Sequence, residues 1–440
     1  MKKLIALFFT LLFALAVNAR SVKSDLNAVI SDSGISKNSI SVSIKNLNTG
    51  KPLFNMNEKI LMHPASVQKI LTLPPAMDVL GENYEFSTAI YKRGNDSYVI
   101  KLGADPFFDY SDLKKLVTCI DKQTVQKIYI DDSIIDSKDW GEGWQWDDDL
   151  NVYMPRFSAY NLDDNLIKIT VMPQEGKTIV INPSKYPIVF FNNVQVGNTN
   201  KVTVSRDSSI SSNTLTLSGT VSKPYTCSIP VKNLKRYFYM KLTQALESKN
   251  IYIKAHFEST KLKPTDVLIT KISHPIQPAE NEILKNSNNM ISETVGKLAA
   301  NKTCGAGTDT NAVKLYNSYY EKLGLDYERI RLVDSSGVSK NNLVDADFIT
   351  EYLIKSKNNT TLSKMAIPGE GTLENRMIPM KEDLRAKTGT LSDISSIAGY
   401  LNTKNGNKYV FCIIINDPKS SESEKKNLED YLLREVYLKK

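Results

Sequence analysis

The chain has 440 residues, 41% hydrophobic and 24% charged, which fits a folded globular protein and excludes collagen-like and wholly disordered chains. A mean hydropathy of -0.29 excludes a polytopic membrane protein. The net charge of +8 suits an anionic polymer or surface but is too dilute for a nucleic-acid footprint, and three histidines (His63, His256, His274) make a histidine-rich metal site a poor reading.

Residues 1–19 read as an address. Lys2 and Lys3 precede an apolar run over residues 4–17, and Ala19 supplies the small residue at a cut. We expect cleavage after Ala19, export, and no transmembrane anchor afterwards, because the run falls short of the ~20 residues a span needs.

A short helix is predicted over residues 24–30. Ile40, Val42 and Ile44 alternate with Ser41, Ser43 and Lys45, which predicts a half-buried strand. Asn48-Thr49-Gly50 turns the chain, and residues 51–56 return as a second strand. Pro64 and the pattern after it predict a helix start.

From about residue 82 to 265 the texture is β-type. Residues 202–204 and 214–217 alternate, turns are rich in Ser, Thr and Asn, and two helices are predicted, over 111–120 and 234–248. Mixed α/β texture returns from about Ile269. Helices are predicted over 280–285 and 290–300, with a polar break at 286–289, and then over 311–323 and 345–355. Strands follow at 384–388, 397–401 and 409–415, the last two joined across Asn405-Gly406. A helix over 423–437 closes the chain. Cys119, Cys227, Cys304 and Cys412 are widely spaced, which disfavours zinc. Disulfides and buried thiols both stay open.

A serine needs a base to become a nucleophile. Ser66 and Lys69 stand three apart, so on a helix they share a face. A lysine can take the serine proton if burial or a second cation lowers its pKa. Ser111-Lys114 and Ser423-Lys426 have the same spacing, so the pair alone says little. Its company says more. Lys387-Thr388-Gly389 is the only such triplet in the chain. Gly389 lets a substrate lie close to the strand, while Lys387 and Thr388 offer a cation and a hydroxyl to a carboxylate. Ser287-Asn288-Asn289 falls in a short helix–helix break, where side chains can point into a cleft.

Ser-x-x-Lys, Ser-x-Asn and Lys-Thr-Gly, in that order, are the signature of penicillin-binding proteins and serine β-lactamases. The sequence resembles the penicillin-binding-protein-4 type of D-alanyl-D-alanine carboxypeptidase/endopeptidase, peptidase family S13, over nearly the whole mature chain. Pro64 to Lys69, Leu102-Gly103-Ala104-Asp105-Pro106, Gly143 to Asp148, Asp334-Ser335-Ser336-Gly337, Gly371-Thr372-Leu373 and Ala386 to Gly389 carry the likeness, together with the long interval between Ser66 and Ser287.

The resemblance implies an α/β (α+β) fold. A transpeptidase-like domain, with an antiparallel sheet between helices, takes residues 20–81 and 266–440. Residues 82–265 form an inserted region, read as two small, mostly β domains. The implied enzyme is a periplasmic serine DD-peptidase that cleaves D-Ala-D-Ala ends and D-amino-acid cross-links of peptidoglycan and is acylated by β-lactams. In it Ser66 attacks, Lys69 is the base, and Lys387 supplies positive charge and holds a carboxylate. Ser287 relays a proton, and Asn289 holds Lys69 and the substrate amide. Thr388, Gly389 and Thr390 line the substrate, with the Ser66 and Thr390 N–H groups around the oxyanion. Asp148 meets the free amine of the stem peptide. No metal or cofactor and no nucleic-acid partner is implied, and oligomeric state, a homodimer included, is left open.

Pro74 and Pro75 depart from a regular active-site helix and predict a kink or stop near Thr72. Two rival readings share the motifs: a serine β-lactamase, disfavoured by the long insert, and a non-catalytic peptidoglycan-binding scaffold.

Overall fold

The computed structural model describes residues 21–206 and 213–439, and contacts gather the chain into two units. One holds residues up to 64 with 344–358 and 366–440; the other holds residues 65–343 and 359–365. These cuts fall elsewhere than the texture changes near residues 82 and 265. The expected export signal lies outside the described residues. Among the described residues no helix is long and apolar enough to cross a membrane.

The first unit is built on an antiparallel sheet. Its strands run Leu384–Leu391, Ile394–Asn402, Lys408–Asn416, Ile40–Asn46 and Pro52–Met56 in spatial order. Ile40, Val42 and Ile44 enter a core with Leu26 and Ile30 of helix Val22–Asp32 and with Leu428, Leu432 and Val436 of helix Glu422–Lys439. The opposite, polar face of that strand was expected to meet water. It is buried instead. Ser43 bonds Thr350 at 2.9 Å and Lys45 bonds Asp347 at 2.6 Å, both on helix Ala346–Lys355. Alternation marked the two faces correctly, but polar partners on a helix allowed the second face to be buried.

The second unit carries three larger sheets. One orders strands Glu258–Ser259, Lys127–Asp131, Ser97–Lys101, Glu85–Arg93 and Val267–Pro275. Two three-stranded sheets hold Lys201–Arg206, Thr214–Val221 and Val189–Val196, and Tyr225–Pro230, Leu166–Gln174 and Lys177–Ile181. Beside them stand helices Lys69–Leu80, Gln277–Leu284, Asn289–Cys304 and Asp309–Lys322. Every residue from Asn289 to Ala300 is buried, which marks a central helix rather than a one-faced surface one.

The predicted stop near Thr72 does not occur: helix Lys69–Leu80 runs through Pro74 and Pro75. Pro75 has no N–H for the Leu71 carbonyl four residues back. The Tyr320 hydroxyl donates to that oxygen at 3.0 Å, so the group stays satisfied inside the core. All four cysteines are free.

Candidate active site

Ser66 lies in a single 3-10 turn, Ala65–Gln68, that leads into helix Lys69–Leu80. The turn is sharp. Ala65 takes φ 48°, the left-handed region that disfavours a side chain. Gly337 makes room for it: a Cβ there would stand 2.1 Å from the Ala65 carbonyl oxygen, and Gly337 itself has φ +82°. Substituting Gly337 therefore pushes directly on the turn that presents Ser66.

Lys69 is fully buried, and its Nζ has three close neighbours. It lies 2.8 Å from Ser66 Oγ, 2.6 Å from Asn289 Oδ1 and 2.7 Å from the Ser336 carbonyl oxygen. Burial pulls the Lys69 ammonium down to about 7, while the charges of Asp334 and Glu293 resist that fall. Asn289 is aimed by its other amide atom, Nδ2, which donates to the Tyr153 carbonyl at 2.8 Å. The helix that carries Asn289 begins there because the Asn288 side chain accepts the Ile291 N–H. Ser287, two residues earlier, is half-buried and has φ 64°.

The loop Asp334-Ser335-Ser336-Gly337 holds this group from behind. The Asp334 carboxylate accepts from Gln68 Nε2 (3.1 Å), Gly337 N–H (2.8 Å) and Asn342 Nδ2 (2.8 Å) through one oxygen. Its other oxygen accepts from Trp144 Nε1 at 3.0 Å and Ser339 N–H at 2.8 Å. Glu293, one turn beyond Asn289, accepts from the N–H groups of Ser335 and Ser336. Burial, with Asp334 and Asp309 nearby, pushes the Glu293 carboxyl up to about 8.

Thus Ser66, Lys69 and Asn289 of the sequence motifs come together in one unit. The same loop, with a glutamate of the Asn289 helix, adds groups that sequence reasoning left without a role: the Ser336 carbonyl, Asp334 and Glu293. A main-chain carbonyl carries no sequence signal, and Glu293 stands inside a helix whose burial no periodicity revealed.

Asp148 lies in a 3-10 turn, Trp146–Leu150, and is half-buried. Burial and then Asp147 push its carboxyl up, against the pull of Lys340. The acidic run does not lie wholly in solvent: Asp149 bonds Arg206 at 2.9 Å and Lys232 at 3.3 Å.

The other unit presents the Lys-Thr-Gly segment on strand Leu384–Leu391, at one edge of its sheet. Lys387 is buried and donates to the Thr388 carbonyl at 2.7 Å. Thr388 Oγ1 donates to Thr372 Oγ1 at 2.7 Å, Gly389 is buried and Thr390 is exposed. Among the described residues no cluster of His, Cys, Asp and Glu has the form of a metal site.

The Peptidase S13 family, D-Ala-D-Ala carboxypeptidase 3, matches residues 22–435. The chain is 26% identical over 419 residues to the D-alanyl-D-alanine carboxypeptidase DacB of Haemophilus influenzae, covering 87% of this chain and 86% of that protein. A crystal structure of penicillin binding protein 4 from Haemophilus influenzae aligns with a TM-score of 0.81 at 22% identity, over 94% of this chain and 99% of that one. A second crystal structure of that protein, complexed with a β-lactam, aligns with a TM-score of 0.75 at 22% identity, over 91% of this chain and 96% of that one. The shared fold is the mixed α/β architecture of the penicillin-binding proteins.

Proposed function

The chain belongs to the peptidase S13 family and is a serine DD-peptidase of peptidoglycan, a D-Ala-D-Ala carboxypeptidase, and within that activity we propose that Ser66 is the nucleophile and Lys69 its base. One observation carries the assignment. Lys69 Nζ faces two carbonyl oxygens and one hydroxyl. A neutral amine has two hydrogens and one lone pair. Asn289 Oδ1 and the Ser336 carbonyl can only accept, so they take the two hydrogens. The lone pair is left for the Ser66 hydroxyl, whose proton turns toward it. An amine held at about 7 is neutral in roughly half the molecules at neutral pH.

Ser66 Oγ then bonds the substrate carbonyl carbon while its proton passes to Lys69. The C–N bond breaks, and the leaving amine carries the proton away, with Ser287 in the relay. Water releases the acyl group by the reverse use of the same base. The N–H groups of Ser66 and Thr390 are assigned to the oxyanion, each worth roughly 2.7–4 kcal/mol. Lys387 is assigned to a substrate carboxylate and to the positive field near Lys69, with Thr388 and Gly389 along the peptide. For these residues the order of the motifs is the support.

Several finer readings belong to the same proposal. The substrate class is a stem peptide ending in D-Ala-D-Ala, and D-amino-acid cross-links give endopeptidase action as well. A β-lactam acylates Ser66. Residues 82–265 form the insert and residues 20–81 with 266–440 the transpeptidase-like domain. The chain works in the periplasm after removal of residues 1–19.

Fluorescent penicillin tests the nucleophile. The wild-type chain takes the label covalently and Ser66→Ala does not; labelling of Ser66→Ala shows that the nucleophile lies elsewhere. Digestion of purified sacculi with product analysis then reads D-Ala release and cross-link cleavage together.

A further inference from the structure

Lys69 receives one of its hydrogen-bond acceptors from a residue whose N–H is itself held by a second side chain. The Ser336 N–H donates to Glu293 Oε1 at 2.8 Å, and the Ser336 carbonyl accepts from Lys69 Nζ at 2.7 Å. The Ser335 N–H reaches both Glu293 oxygens, at 3.2 and 3.1 Å. Glu293 is fully buried and stands four residues after Asn289 on the same helix. One face of one helix therefore fixes two of the three groups around Lys69 Nζ: Asn289 directly, and the Ser336 carbonyl through Glu293.

The packing leaves little slack. Gly296, one turn beyond Glu293, sits so close to the loop that a Cβ would stand 2.2 Å from Ser335 Oγ and 2.4 Å from the Tyr316 hydroxyl. Ser335 Oγ bonds Tyr316 at 2.8 Å, and the Ser335 carbonyl accepts from Thr72 at 2.7 Å and Ser292 at 3.0 Å. A carboxylate that takes N–H donors on both oxygens prefers its ionised form, while burial opposes it. When Ser66 gives up its proton, Lys69 becomes a buried cation bonded only to neutral groups. A buried cation needs every acceptor around it held in place.

We propose that Glu293 is a positioning residue for Lys69: by accepting the Ser335 and Ser336 N–H groups it holds in place the Ser336 carbonyl that orients the amine. This rests on the reading of Lys69 as the base. The charged and titratable groups around the pair are Asp334 on the loop, Asp309 and Tyr316 on helix Asp309–Lys322, and Lys297 on the helix of Glu293 itself. Lys297 is held by Asp136 at 2.7 Å and Asp309 at 3.2 Å.

The test is the pH profile of penicillin acylation in the full chain, for wild type, Glu293→Gln and Glu293→Asp. Glu293→Gln puts an NH2 donor where an oxygen accepted an N–H, so the Ser336 carbonyl shifts off Lys69; losing that acceptor disfavours the ammonium, and the acid limb moves to lower pH by up to about one unit. The plateau rate falls by up to about 10²-fold, the scale of a misplaced catalytic group. Glu293→Asp keeps two acceptor oxygens but draws them back, so its limb stays near the wild-type position while its plateau falls. The direction of the shift separates roles. Loosened packing that let water reach Lys69 would relieve its burial and move the limb to higher pH.

An unshifted limb with a wild-type plateau in Glu293→Gln overturns the proposal, as does an upward shift. Should Glu293→Gln not fold, Glu293→Asp decides, and a wild-type plateau in it overturns the positioning role. If instead Ser66→Ala takes the label, or wild type shows no acid limb that Lys69→Met removes, it is the reading of the base that fails.

Discussion

Two buried lysines of the same unit, Lys69 and Lys297, differ in a way that sorts their work. Both are fully buried, and both sit on core helices. Lys297 bonds Asp136 at 2.7 Å, Asp309 at 3.2 Å and the Lys138 carbonyl at 2.9 Å, and lies 5.0 Å over the Phe157 ring. Lys69 bonds a hydroxyl, an amide oxygen and a main-chain carbonyl. Carboxylates in direct contact give the Lys297 side chain its partners, and it ties the 136–138 loop to two helices. Neutral partners satisfy the Lys69 hydrogens without holding its charge. Burial alone therefore does not make a base; burial without a bonded counter-ion does.

Exchanging each lysine for methionine is the strongest way to break this contrast. Lys69→Met should lower acylation by penicillin about 10²–10⁴-fold, the usual worth of a general base. It should fold, with a Tm equal to or above that of wild type, because the change removes a buried amine with no bonded carboxylate. Lys297→Met should do the opposite. Asp136 and Asp309 would lose their cation, at a cost of about 3–5 kcal/mol in urea unfolding, while the folded protein still takes the label. Equal stability losses in the two variants would remove the distinction.

The contrast sharpens with pH. In the folded chain Lys69 binds its proton only below about 7, whereas in the unfolded chain the ordinary value is 10.5. Between these values the unfolded state holds more protons, so stability rises with pH across that window. Below about 7 the Lys69 penalty is present in full. The Tm gain of Lys69→Met over wild type should thus be greater at pH 6 than at pH 10. A gain that does not change with pH would mean that Lys69 keeps its ordinary pKa in the fold.

Half of this site was legible in the residues. Ser66 and Lys69 stand out only in company with the Ser-x-Asn and Lys-Thr-Gly triplets, and Asn289 by its place in a polar helix break. The strands predicted at 384–388, 397–401 and 409–415 are present, and the structure extends them to Leu384–Leu391, Ile394–Asn402 and Lys408–Asn416. What stayed hidden depends on long-range packing. Pro75 orphans the Leu71 carbonyl, and the hydroxyl that takes it belongs to Tyr320, 249 residues away. Ser41, Ser43 and Lys45 look solvent-facing until Thr350 and Asp347 cover two of them. Glu293 looks like an ordinary helix residue until the loop at 334–337 closes on it. Each was missed because one residue's environment is supplied by a segment far along the chain.

A smaller version of the lysine contrast lies among the carboxylates of the turn Trp146–Leu150. Asp149 is held by Arg206 and Lys232, so its charge already has partners. At Asp148 burial outweighs the distant pull of Lys340, and the carboxyl is pushed up. A carboxylate held that way gains from any cation that arrives, which is the property wanted of a site for the free amine of a stem peptide. Asp148→Asn should leave D-Ala release from an acetylated substrate near the wild-type rate. It should lower the preference for the amine-bearing substrate by about two- to fivefold, the size of a half-exposed ion pair. Rates measured on the two substrates side by side give the ratio, and a ratio equal to that of wild type would assign the amine to another group.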